Sequence, residues 1–320
     1  MWIEQAEAET QYRAEGSALE ALAALRTQIW QLLTQDFTQP AAALPAQIRT
    51  VTQDLADLVR RTPDAVLYSL LLDETASYAQ VHPMMVGAIC ALLSARCGFD
   101  EATRQTMIAA ALTCNIGMLA LHEVAATQAG ALSPEQQTVA REHPLKSATL
   151  LKAAGVTDAL WLTIVTQHHE RPDGAGYPHG LRGQALCRPA RLVALADVYT
   201  AMVLPRHYRD GIHAQQALRE IFLQRGSQID AALAADFINE LGVFPPGIFV
   251  RLDNGEIGVV LQRGVQRASQ PLVSCFKSPQ GSVYPRPVRR DTAEHAAYGI
   301  AEVLRRQPLP CSLQSLWKAA

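Results

Sequence analysis

His168-His169-Glu170-Arg171-Pro172-Asp173-Gly174-Ala175-Gly176-Tyr177-Pro178 is the stretch on which the reading of this chain turns. Two adjacent imidazoles and a carboxylate run into a turn with two glycines, a tyrosine and a proline. The first half is metal-ligand chemistry, since neutral imidazole is the commonest metal ligand among side chains. The second half is a shaped loop, because glycine reaches backbone angles closed to other residues. The apolar spacing predicts a helix over about 158–170 that stops before Pro172. Neighbours on a helix diverge by about 100°. His168 and His169 can therefore serve different metals, or a metal and a phosphate.

Outward from this stretch the chain reads as helices joined by short turns. Ser133-Pro134-Glu135-Gln136 starts a helix, with a serine cap, proline at the first position and glutamine three residues after the cap. That helix is predicted to end near Glu142-His143-Pro144. Further helices are predicted over about Arg188–Met202, Ala214–Arg225 and Ile229–Leu241. Upstream, apolar residues at spacings of three and four mark helices from Ala18 to Leu33 and from Ile48 to Leu58. Residues 1–65 carry no chemical motif and read as a helical accessory module for docking or dimerisation. Residues 66–242 form the helical domain that holds the motifs. After Gly242 the period changes. Ile248–Leu252 and Ile257–Leu261 flank Asn254-Gly255, a hairpin signal, and Pro271–Phe276 reads as a third strand. Residues 243–320 are thus a small β-rich appendage.

Bulk properties narrow the classes. Apolar residues make up 49% and charged residues 18%, so a sizeable core is expected. A net charge of −2 supplies no basic field for DNA. The six cysteines form no CxxC pair, and a chain of this length needs no disulfide staples, so a reducing cytoplasm is the expected compartment. The start of the chain is acidic and does not resemble a signal peptide, and no membrane span is expected.

Other polar residues punctuate the apolar helices. His82 lies in Tyr78-Ala79-Gln80-Val81-His82-Pro83. Cys114-Asn115-Ile116-Gly117-Met118 ends the apolar run Ala110–Thr113. His143 precedes Pro144, Asp197 sits within Ala194–Tyr199, and Arg206-His207-Tyr208-Arg209 follows. In this order, over roughly 75–225, these motifs resemble the HD-GYP family, a branch of the HD metal-dependent phosphohydrolases. The resemblance implies a mostly α fold: an HD-GYP-like helical bundle with an N-terminal helical module and a small β-rich C-terminal piece. It implies cyclic di-GMP, or a related nucleotide, as ligand. It also implies metal donors at His82, His143, His168, His169 and Asp197, and nucleotide contacts from Tyr177, Arg206 and Arg209.

Four positions depart from the family. Tyr78 stands where many members carry a glutamate. Cys114 and Asn115 stand for the name-giving histidine and aspartate, and Met118 for a phosphate-binding lysine. A unit charge about 4 Å away is worth roughly 4 kcal/mol at an effective dielectric near 20. Losing the bridging carboxylate is therefore a large local penalty for two dications. Cys114 is either a soft-metal thiolate or a buried structural thiol. Asp197 is either a ligand or the acceptor of a structural hydrogen bond, and Arg206 and Arg209 either hold phosphate or form a solvated turn. The donor set fits one Zn or Fe/Mn ion, and a full two- or three-metal centre is not expected. Three functions stay open: a degenerate HD-GYP signalling protein with catalysis lost or strongly weakened, an active phosphodiesterase with an altered metal shell, and a scaffold for signalling proteins with neither metal nor nucleotide. A homodimer is a further partner expectation.

Overall fold

The computed structural model describes residues 2–37, 43–128, 130–205, 211–264 and 266–318, with side chains from residue 18 onward. Helices α1 (Trp2–Leu33), α2 (Leu44–Arg61), α3 (Pro63–Leu72), α4 (Tyr78–Ser94), α5 (Glu101–Thr113), α6 (Leu119–Thr127), α7 (Pro134–Ala153), α8 (Ala159–Gln167), α9 (Arg188–Val203), α10 (Ala214–Gln224) and α11 (Ala231–Leu241) come first. Strands β1 (Phe249–Leu252), β2 (Ile257–Gln262), β3 (Leu272–Lys277), β4 (Val283–Asp291) and β5 (Ile300–Leu304) follow, and a short α12 (Leu313–Trp317) comes last. The mostly helical class with a small C-terminal sheet is the one the sequence reading expects.

Helix α4 is the axis of the bundle. It packs on α2, α5 and α9, and it is buried almost all round, from Val81 to Leu93. Such a helix needs apolar residues on every face, which is why it shows no amphipathic stripe. Its first turn is fixed by a capping box between Ser77 and Gln80. Helix α2 buries Ile48, Val51, Leu55 and Leu58 against α4 and α5. From its outer face Arg49 reaches Asp158 at 2.8 Å, and Asp158 also accepts from Thr106 at 3.0 Å and caps α8. One carboxylate thus ties α2, α5 and α8 together.

Two helix ends differ from the sequence reading. Helix α7 does not stop at Pro144 but continues to Ala153. Proline removes only one backbone donor, and the carbonyl left over finds a side-chain partner, as described below. Helix α8 stops at Gln167 rather than Glu170, so the two histidines lie at its end. The segment Glu101–Thr127 has the length and composition of a membrane span, but 67% of its most apolar window is buried in the bundle, and a 3-10 turn at Ile116–Met118 interrupts it.

The C-terminal strands form an antiparallel sheet in the order β4-β3-β2-β1-β5. Gly255, at φ 88, makes the β1–β2 turn. Strand β4 carries Pro285 and Pro287, which an edge position tolerates because no inner partner needs their N–H groups. The sheet is fastened to α3. Arg306 donates to the Leu71 and Leu72 carbonyls at 3.0 and 2.9 Å, and Trp317 packs on Tyr68 with ring centroids 5.0 Å apart.

Candidate metal centre

Three of the histidines converge. His143 on α7, with His168 and His169 at the end of α8, place one ring nitrogen each within 4.8 Å of one another. His143 and His168 are fully buried. Their orientation follows from helix chemistry. Pro144 has no N–H to offer the Ala140 carbonyl four residues back. His143 Nδ1 occupies that carbonyl instead, at 2.7 Å. At the end of α8 the last carbonyls have no helical partner, and His168 Nδ1 meets the Val165 carbonyl at 2.6 Å. A carbonyl only accepts, so both Nδ1 atoms carry the proton in the neutral ring. Both Nε2 atoms are then lone-pair donors to a metal, and they face each other at 3.1 Å.

Burial keeps these rings neutral. It lowers the His143 pKa to about 4 and, with His143 adding to the effect, the His168 pKa to about 3. Burial also holds His169 well below the ordinary imidazole range. Two lone pairs in contact repel unless a cation lies between them. Three neutral imidazoles of this kind fit a divalent transition metal such as Zn or Fe. When bound, such an ion would polarise a phosphoryl oxygen and acidify a water.

The expected divergence of His168 and His169 is not observed. Helix α8 has already ended, so the 100° step does not apply, and the two rings lie 4.2 Å apart. Glu170 takes no part in this cluster. It is buried and accepts from the His179 and Leu181 backbone N–H groups at 2.6 and 2.9 Å. Its carboxylate holds the loop that follows. Gly176 lies against that loop so closely that a Cβ would stand 2.4 Å from the Arg171 nitrogen. Tyr177 is folded back onto His169, with ring centroids 4.7 Å apart and planes at 25°. One face of the tyrosine is therefore already occupied by imidazole.

A second group lies beside the first. His82 Nε2 is 3.6 Å from Asp197 Oδ1, and the same oxygen accepts from Asn115 Nδ2 at 3.2 Å. All three residues are buried. Gly117 lets this turn rest directly on α7: its N–H donates to Ser147 Oγ at 2.9 Å, and a Cβ would meet the His143 carbonyl at 2.8 Å. Met118 closes the 3-10 turn. Cys114 is fully buried, with Sγ on the Ala111 carbonyl at 3.4 Å. Burial, reinforced by the nearby Asp197, raises its pKa well above the ordinary value. All six cysteines are free. Arg206 and Arg209 lie outside the described residues.

His122 was not marked by any sequence motif. It lies on α6, only 8% exposed, with its ring 5.2 Å from His82 and edge-on to Tyr78 at 5.4 Å. The one available signal was a histidine in the apolar run Leu119-Ala120-Leu121. His82 and His122 both help to lower the His169 pKa, so the two groups lie near each other.

Histidines gathered from two helices of one bundle form a group that could hold a metal ion. The sequence matches the HD domain family over residues 47–233. A cyclic di-GMP phosphodiesterase of Pseudomonas aeruginosa is 29% identical over 238 residues, covering 74% of this chain and 57% of that protein. The response regulator RpfG of Xanthomonas campestris, also a cyclic di-GMP phosphodiesterase, is 31% identical over 44% of this chain and 38% of its own length. An HDG"Y"P protein from Bdellovibrio bacteriovorus has the same fold at a TM-score of 0.58 and 16% identity, covering 69% of this chain and 70% of that one. The chain belongs to the HD domain family, in its HD-GYP branch. It spans about half the length, 57% and 38%, of the two sequence relatives just described.

Proposed function

We propose that this chain is a cyclic-dinucleotide-binding HD-GYP protein of bacterial signalling. It holds a divalent metal on His143, His168 and His169, and phosphodiester hydrolysis is lost or strongly weakened. The observation that carries this reading is the pairing of a convergent three-histidine centre with an amide, Asn115, where the family has its bridging carboxylate. The histidines favour metal binding. The amide supplies no charge to hold a second dication against the first, and the two-metal clamp on attacking and leaving oxygens depends on that charge. Relatives named for cyclic di-GMP and for 3'3'-cGAMP support a cyclic dinucleotide as the ligand class. Arg206 and Arg209 are the phosphate donors, since arginine pairs with phosphate in a fixed fork. Tyr177 contributes the side of its ring that His169 leaves uncovered.

The test has two parts. With Mn²⁺ or Fe²⁺ present, hydrolysis of cyclic di-GMP is expected to be absent or far below about 1 s⁻¹. Calorimetry is expected to show binding, weakened about ten-fold or more by Arg206→Ala or Arg209→Ala. Turnover at an ordinary rate that His168→Ala abolishes would establish an active phosphodiesterase instead, the second reading, which the names of the relatives favour. No binding at about 100 µM nucleotide would leave a protein scaffold.

A further inference from the structure

Where the end of α3 meets the C-terminal sheet, the chain leaves a cavity of about 350 Å³. Its floor is apolar, with Leu71 of α3, Ile248, Phe249 of β1 and Leu304 of β5. Its rim carries Arg305, directly after β5, and His213 and Gln216 at the start of α10. We propose that this cavity binds a small organic acid, a single apolar ring or short chain that ends in a carboxylate or phosphate, with Arg305 as the partner of the anion. The cavity shares no residue with the histidine cluster, so the proposal stands whether or not a metal binds there.

Size and floor come first. Small-molecule sites are clefts of roughly 300–1,000 Å³, mostly apolar, with a few polar groups that fix orientation. At about 350 Å³ this one has room for a ligand of about one ring. Charge comes second. No aspartate or glutamate among the described residues lines the cavity. Among the described residues, no hydrogen bond or ion pair engages the side chains of Arg305, His213 or Gln216. A guanidinium matches carboxylate and phosphate alike through its fork of donors. The third observation is the contrast across Arg306. That residue borders a second cavity as well, and there the lining includes Asp73, Glu74 and Glu123. Arg306 itself is spent on the Leu71 and Leu72 carbonyls and on Glu74. Of the two neighbouring arginines, Arg305 is thus the one with donors left for a ligand, and it stands on the side free of acids.

The competing reading is a solvated rim around an unused crevice. A charge series on one apolar body separates the two. The full chain, with isoleucine and leucine methyl groups labelled, is titrated with benzoate and with phenyl phosphate. Benzyl alcohol and benzylamine serve as the neutral and cationic bodies of similar size. Both anions are expected to shift the Ile248 and Leu304 methyl signals saturably. Benzyl alcohol should bind at least about ten-fold more weakly, the size of one charge-assisted contact. Benzylamine should leave these two signals in place. Tighter binding of phenyl phosphate would mark the ligand as a phosphate ester, and tighter binding of benzoate as a carboxylic acid. Arg305→Ala is expected to reduce both anions to the level of the alcohol, and Arg305→Glu to turn the preference to benzylamine. Arg305 is exposed, so both variants should melt with the unaltered chain. Should Arg305→Ala not fold, Arg305→Gln is titrated instead, with the same expectation. Arg251→Ala, which removes an exposed arginine of β1 outside the cavity, should change nothing. No saturable shift by either anion at about 10 mM overturns the proposal. Equal binding of anion, alcohol and amine overturns it too, as does full anion binding by the folded Arg305 variant.

Discussion

His143 and His168 face each other nitrogen to nitrogen, Nε2 to Nε2 at 3.1 Å, each with its other nitrogen spent on a backbone carbonyl. The first of those carbonyls is freed by Pro144 and the second by the end of α8. Helix termination and helix interruption thus aim two imidazole nitrogens at one point. The arrangement is unfavourable without a cation, because two lone pairs and two desolvated rings are held in contact.

Metal should therefore stabilise the fold. A ligand at about 100 times its dissociation constant adds about 2.7 kcal/mol. Zn²⁺ is expected to raise the melting temperature and chelator to lower it again. In His168→Ala the melting temperature should no longer respond to Zn²⁺. A response of the same size in that variant would show that the metal binds elsewhere.

Asn115→Asp should shift the balance between the two states. It replaces the 3.2 Å amide donor to Asp197 with a second buried carboxylate. Like charges in a desolvated site repel without a cation and attract one strongly. The stripped variant is expected to melt lower than the unaltered chain, and its Zn²⁺-induced rise to be larger. Calorimetric scans with and without chelator check both signs.

Gly176→Ala should disrupt the loop that backs the histidines. A Cβ there would stand 2.4 to 2.5 Å from backbone atoms of His169, Glu170 and Arg171, which a side-chain rotation cannot relieve. The expected loss is about 1–3 kcal/mol in a denaturant titration, with weaker metal binding. A neutral outcome would mean that the loop is softer than its packing indicates.

The C-terminal sheet predicts an acid limb of stability. Glu256 is buried under Arg290, which meets both its oxygens at 2.8 Å, and under Tyr284 at 2.7 Å. Its hydrogen bonds, that to Arg290 foremost, lower its pKa from 4.5 to about 2. A folded pKa below the unfolded one means that the unfolded chain takes up the proton first. The stabilisation is complete above about pH 4.5 and is lost as pH falls through about 2. Glu256→Gln is expected to lose about 3 kcal/mol at neutral pH and to flatten this limb in equilibrium unfolding.

The sequence by itself determined the helical class and the β-rich end, and it named the candidate donors. Those features are local: apolar spacing marks helices, Asn254-Gly255 marks a hairpin, and adjacent histidines before a glycine turn mark a site. It also located the departures at Cys114, Asn115 and Met118, because a substitution within an ordered set of motifs needs no coordinates. Which donors meet was decided by tertiary structure. His143 and His168 lie 25 residues apart and touch only because α7 packs on α8. His168 and His169 converge because α8 ends one residue before them, and helix ends are set by packing as much as by local preference. Glu170 follows the two histidines directly in sequence but is spent on the loop, since only the folded chain brings the His179 and Leu181 N–H groups to it. His122 was silent in sequence for the same reason. A lone histidine in an apolar helix has no pattern, and its meaning comes from the His82 ring that the fold sets beside it.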